Sequence, residues 1–315
     1  MRRAADRLWR GSAARTAVAS RARAWHSLAP AATDLPVLLP AATRLARNAA
    51  KARRGGGPPL RLTPAHGVVL LAVFAIACGV AQAQAGAGQP SVLATLWKWL
   101  PVLLRGFVFN LAISAMAMST GTLAGLVLGY AQISQVKAVR GVAAFVTHFF
   151  RNAPWLVLLF YCMFLLPFQV RVFGITIPIP DWTKATFGLA LPVMANVAEI
   201  VRGAVQSIPT AQWESAASLA FNRRQTMWMI ILPQCIKRML PPWMNLYAIL
   251  TMSTVLTSIV GVAEIMTLTG RALSAENRPG LLLPFYAFVL VLFFLYCYPI
   301  ARWTLRLEAK YAVDR

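Results

Sequence analysis

Beyond residue 62 the chain alternates long apolar runs with short polar joints. Five runs, near 107–129, 145–168, 185–206, 243–266 and 281–303, are long enough to cross a bilayer, and most carry no charge near the middle. A crossing helix needs about 20 residues. Unpaired backbone in lipid costs several kcal/mol per group, so each run is expected to be helical. The alternation of a barrel strand is absent. The pattern therefore predicts an all-α membrane protein with a five-helix core.

A shorter apolar run covers Gly67–Ala81, and AQAQA lengthens it to residue 85. It reads as an anchor, although AQA also resembles a signal-peptidase site. Residues 1–61 are rich in Ala and Arg, with GGGPP at 55–59, and are expected to be a little-packed basic tail. An Arg-rich, acid-poor start fits a transit peptide as well, or a start codon placed too far upstream. Whether residues 1–85 are retained stays open. Residues 306–315 read as a cytoplasmic C-terminal tail.

One joint is unlike the others. AQWESAASLAFNRRQTMWMIILPQ, residues 211–234, is too polar to cross and too helix-friendly to be a slack loop. Thr210 is expected to cap a helix with Glu214 in its first turn. Ser215, Ala216, Ala217, Ser218 and Ala220 keep that helix thin, as suits one that lies in a groove on another protein. A second helix is expected from Arg223 to Leu232, stopped by Pro233. Taken alone, the segment fits an interfacial helix on lipid headgroups equally well.

The chain has 315 residues, 58% hydrophobic, a mean hydropathy of +0.61 and a formal charge of +22. Charged residues are 13%, against about 25% in a soluble domain. The basic residues flank apolar runs or lie in the N-terminal tail, which suits membrane topology and argues against a nucleic-acid partner. Lys137, Arg140, Arg151, Arg202, Arg223, Arg224, Lys237 and Arg238 surround alternate joints, and Arg302, Arg306, Lys310 and Arg315 close the chain. By the positive-inside rule these joints, with the 211–234 segment and the C-terminus, face the cytoplasm. Cys78, Cys162, Cys235 and Cys297 are scattered, as are the histidines, so neither a metal site nor redox chemistry is expected.

Residues 212–234 resemble the Glu-Ala-Ala loop of permease subunits of ATP-binding cassette importers. Glu214, Ser215 and Ala216 fall on Glu-Ala-Ala, Ala220 on a following Gly, and Leu232 and Pro233 on a closing Leu-Pro. FFRNAPWLVLLF (149–160), ANVAEIVRGAVQSIP (195–209) and NLYAILTMSTVLTSIVGVAEI (245–265) are similar to the polar amino-acid branch, and the likeness covers about residues 100–305. Two departures stand out. Ala220 replaces the turn glycine, so the bend is expected to shift to Asn222 or the helix to run through. Met252, Ser253 and Thr254 replace a frequent Lys-Asp-Thr, which puts an inherited substrate preference in doubt.

The resemblance implies a type I importer permease core with one extra N-terminal hydrophobic segment, in a bacterial inner membrane. It implies half of a pathway for amino acids, paired with a second permease subunit of the same or a sister chain. Two cytoplasmic ATP-binding subunits would grip the coupling helix, placed at 210–222, and an external solute-binding protein would deliver the amino-acid substrate. Glu214, Ser215, Ala216, Leu219, Ala220, Phe221 and Asn222 would couple to the ATPase. No lysine follows a glycine here, so a phosphate-binding loop is missing; no cofactor is expected on this chain, with ATP and magnesium in the partner subunits.

The pathway signal is thinner. Asn196, Asn245, Thr251, Thr254 and Ser258 are candidates for lining, although hydroxyls in membrane helices more often bond their own backbone. Glu199 and Arg202 lie one turn apart and read first as an intrahelical ion pair, second as a gate. Gly121, Gly125 and Gly129 recur on one face, for packing within the chain or between subunits. The rival readings are an ion-coupled secondary transporter and an intramembrane enzyme. Carriers favour ionisable groups near the midplane, and an enzyme needs a catalytic constellation that the spans lack.

Overall fold

The structure, a computed structural model, describes residues 64–83, 89–172 and 175–311. The tail at 1–61, residues 84–85 of the first apolar run and residues 312–315 lie outside the described residues. Nine helices are labelled in order among those described: α1 Pro64–Ala83, α2 Val92–Gln132, α3 Lys137–Asn152, α4 Trp155–Leu165, α5 Asp181–Gln206, α6 Thr210–Ser218, α7 Leu232–Ser253, α8 Ile265–Glu276 and α9 Leu282–Tyr311. Strands β1 Gln169–Val172 and β2 Ile175–Pro178 pair antiparallel between α4 and α5, a hairpin that the apolar pattern does not announce. Among the described residues four helices are long and apolar enough to span, and five spans result if the bent pair α3 and α4 counts as one.

The main core lies between α2, α5 and α7, with Ile113, Leu189, Val193 and Leu250 fully buried. The three recurrent glycines make the closest approach. A Cβ at Gly121 would sit 2.6 Å from Val193, one at Gly125 2.6 Å from Val197, and one at Gly129 2.7 Å from Val201. Each glycine leaves the room in which one valine of α5 is seated, so α2 and α5 touch nearly backbone to backbone. α1 rests on the last span through Phe74 and Phe288.

Two expected spans are broken. The 145–168 run bends by 104° between α3 and α4. Pro154 has no N–H to donate and pushes Ala153 into extended geometry, φ −72° and ψ 136°. The 243–266 run is helical only to Ser253. It tightens to a 3₁₀ turn at Thr254–Ser258 and turns at Gly261, φ +92°, before α8 begins. Thr254, Thr257 and Ser258 each donate to the carbonyl three residues back, which favours the tighter winding.

The break is held by polar groups buried in the fold. Asn110 of α2 donates to Thr254 Oγ1 at 3.0 Å and to Glu264 Oε2 at 2.9 Å, and accepts the Ile265 N–H at 3.2 Å. Glu264 is fully buried and caps α8 by accepting the Thr267 N–H at 3.0 Å. Gly106 lets α2 approach here, since a Cβ would lie 2.9 Å from Ile265 Cα. At the far end of α8, Lys98 and Trp99 donate to Glu276 at 2.7 and 2.8 Å, and the Lys98 ammonium foremost holds that carboxyl below its usual range.

Candidate functional site

The polar joint forms a helix, a tight turn and a second helix. α6 starts one residue earlier than its chemistry suggests. Pro209 occupies the cap position with no side-chain bond, Thr210 is the first helical residue, and Glu214 falls in the second turn. The fixed φ of Pro209 and the packing of the joint set this start, where Thr210 was expected to cap.

α6 ends at Ser218 in a turn that alanine was not expected to make. Ala220 takes φ +59°. The Ala220 N–H donates to the Ala217 carbonyl at 3.0 Å and the Phe221 N–H to the Ala216 carbonyl at 3.1 Å. These are the two bonds of a Schellman motif, satisfying carbonyls that the helix end leaves free. They hold Ala220 left-handed against a cost of about 1–2 kcal/mol. Asn222 is extended, and instead of bending the chain it caps the next helix. It accepts from Gln225 N–H and its own N–H donates to Gln225 Oε1, both at 2.9 Å.

Pro233 does not stop that second helix. Arg223–Gln225 runs through a π-helical stretch, Thr226–Ile231, straight into α7, with Pro233 in its first turn. The wider winding passes over the missing proline donor, since the Leu232 N–H bonds back to the Met227 carbonyl.

One side of α6 is anchored and the other is free. Ala216 is 1% exposed, and half-buried Trp213 packs with Ile208, Met227, Ile231 and Cys235. Arg238 of α7 donates to the Ser207 carbonyl at 2.6 Å and to its hydroxyl at 2.9 Å, tying α7 to the end of α5. Arg223 reaches Gln135 beyond the end of α2, 2.8 Å with the amide oxygen turned toward it. Glu214, Ser215, Leu219 and Asn222 are exposed. The Glu214 carboxylate takes part in none of the ion pairs among the described residues.

The pathway candidates do not form one lined face. Thr251 and Thr254 are fully buried. With Ser258 they bond backbone carbonyls of their own segment. Asn196 donates to the Pro192 carbonyl at 2.8 Å, while Asn245 is exposed. Arg202 pairs with Glu199 through both carboxylate oxygens, the Nε bond being 3.0 Å, and Arg151 approaches Glu199 at 3.5 Å. Neither Asn110 nor Glu264 stands among the residues that the sequence pattern singles out. The available signal was an amide in the middle of the apolar FVFNLAIS run.

The family profile described as "Binding-protein-dependent transport system inner membrane component" matches residues 121–307. The chain is similar to the probable amino-acid ABC transporter permease protein YckA of Bacillus subtilis, 36% identical over 166 residues, which is 53% of this chain and 71% of that one. It is 31% identical to the glutamine transport system permease protein GlnP of Escherichia coli K12, over 58% of this chain and 81% of that one. Among solved structures, an amino acid ABC transporter crystallised with histidines matches with a TM-score of 0.62 and 26% identity, over 70% of this chain and 99% of that one. An inward-facing structure of the MetNI methionine ABC transporter shares the fold, with a TM-score of 0.54 and 18% identity over 69% of this chain and 99% of that one.

Proposed function

The chain belongs to the family of binding-protein-dependent transport system inner membrane components, and on that footing we propose that it is the permease subunit of an ATP-driven amino-acid importer. It is a multi-pass membrane protein whose family supplies the conduit and not the ATPase. The similarity to amino-acid permeases of two bacteria supports amino acids as the cargo, and disfavours an ion-coupled carrier. Two such chains, or this one and a sister, would enclose the pathway. Two ATP-binding subunits, carrying ATP and magnesium, would sit against α6, and an external binding protein would load the opposite end. α6, the basic joints and the C-terminus would then face the cytoplasm of a bacterial inner membrane.

One observation supports the coupling role above the others: α6 is anchored through Trp213 and Ala216 yet leaves Glu214 exposed and outside every ion pair among the described residues. Breaking one side of a desolvated interfacial charge pair costs about 2–5 kcal/mol. Glu214→Lys is therefore expected to abolish substrate-stimulated ATP hydrolysis while the protein stays in the membrane at normal abundance. Uptake assays on that variant give the check, and a wild-type rate would end the coupling assignment.

A further inference from the structure

A cavity of about 830 Å³ opens between α2, the 261–263 loop, α8 and the N-terminal end of α5. α5 is 26 residues long, so this cavity lies about 39 Å along that helix from its α6 end. Phe109 and Trp182 contribute aromatic surface, and three charged side chains line it: Arg105 from α2, Arg271 from α8 and Asp181 from α5. Neither arginine takes part in an ion pair among the described residues. Asp181 lies 3.6 Å from the ammonium of Lys184, which is itself fully buried without a hydrogen-bond acceptor, 3.4 Å from the centre of the Phe168 ring.

The charges select a ligand. A guanidinium presents a planar fork of donors that matches a carboxylate in two-point geometry. Two forks outside any ion pair among the described residues, and one carboxylate that meets Lys184 through Oδ1 alone, complement a molecule with two carboxylates and one ammonium. A neutral amino acid would leave one arginine unmatched, and a cationic one would bring a second positive charge toward both. The volume is that of a small-molecule site. We propose that this cavity binds an acidic amino acid, with Arg105 and Arg271 taking its two carboxylates and Asp181 its ammonium. The inference rests on the reading of the chain as an amino-acid permease and goes beyond it by naming the cargo's charge.

The test uses the whole transporter, purified through a tag on this chain and salt-washed to remove the external binding protein. Equilibrium dialysis then measures binding of radiolabelled L-glutamate, L-glutamine and L-arginine. Glutamate is expected to bind saturably and about tenfold tighter than glutamine, the worth of roughly one charge-assisted pair. Arg105→Gln and Arg271→Gln are each expected to weaken glutamate about tenfold and to erase most of its advantage. Asp181→Asn is expected to weaken glutamate and glutamine alike. Both arginines are exposed, so their variants should fold, and co-purification of the ATPase checks that they do. Absence of saturable glutamate binding, glutamine binding as tight as glutamate, or arginine variants of wild-type affinity would each overturn the proposal. ATP-dependent uptake of a neutral amino acid alongside such a result leaves the permease reading standing. Failure of any ATPase to co-purify with the wild-type chain sinks that reading itself.

Discussion

Two glutamates divide the molecule into contrasting halves. Glu214 stands exposed on α6 with no ion-pair partner among the described residues. Glu264 is wholly buried at the broken span, its two oxygens taken by Asn110 and by the Thr267 N–H. The first is placed by a helix that packs on one side only, and it stays exposed. The second is spent on holding its own fold, because a helix interrupted inside a membrane must satisfy its loose backbone and side-chain groups internally. A carboxylate among apolar runs is thus no single kind of signal. What its oxygens already hold decides whether it is a contact in waiting or a structural pin.

The contrast breaks most sharply on truncation. Glu264→Ala removes the α8 cap and leaves the Asn110 amide short of an acceptor in the interior, for a loss of about 2–4 kcal/mol. Thermal unfolding in detergent should show a clear fall in Tm for Glu264→Ala; Glu264→Gln, which keeps one accepting oxygen and sets its NH2 against a donor, should fall as well but by less, and Glu214→Ala should leave Tm unchanged. Equal effects at the two positions would erase the distinction drawn here. Next in size is the packing of α2 on α5. Gly125→Ala places a methyl 2.6 Å from Val197 and 2.7 Å from the Met194 carbonyl, an overpacking cost of about 1–3 kcal/mol. Gly141→Ala in α3, where nothing lies within 4 Å, is expected to raise Tm slightly in the same assay, by up to about 1 kcal/mol of helix propensity. The smallest effect sharpens the half around α6. Ala220→Gly relieves the left-handed strain, partly offset by glycine's freedom in the unfolded chain, for a gain of about 0.5–1 kcal/mol. A loss of Tm in that variant would mean that the methyl packs in a way the turn geometry does not reveal.

These halves were not equally legible in the sequence. The polar joint at 211–234 stood out because its signals are local: small residues, a carboxylate, two arginines and a proline within 24 positions. Its details still moved. Ala220 makes the turn because two backbone bonds outweigh its intrinsic reluctance, and Pro233 is passed by a π-helical stretch. The bend at Pro154 was also written locally, in a proline whose effect an apolar run obscured. The second break was not. Residues 243–266 stay apolar on average, and the group that stabilises their interruption, Asn110, sits more than 140 residues earlier. Hydropathy along a window carries no record of a hydrogen bond from another helix. The recurrent glycines pointed to a close helix contact, but nothing in them named the valines of α5 as the partners.

The three glycine–valine contacts work as a rack and pawl. Their teeth are four residues apart, about 6 Å along the axis, so a partial slip would drive valine methyls onto α2 backbone. Sliding by fractions of a tooth is closed to this pair, and α2 and α5 must travel as one beam. Because α6 follows the end of that beam after a three-residue joint, a push delivered there moves both helices together.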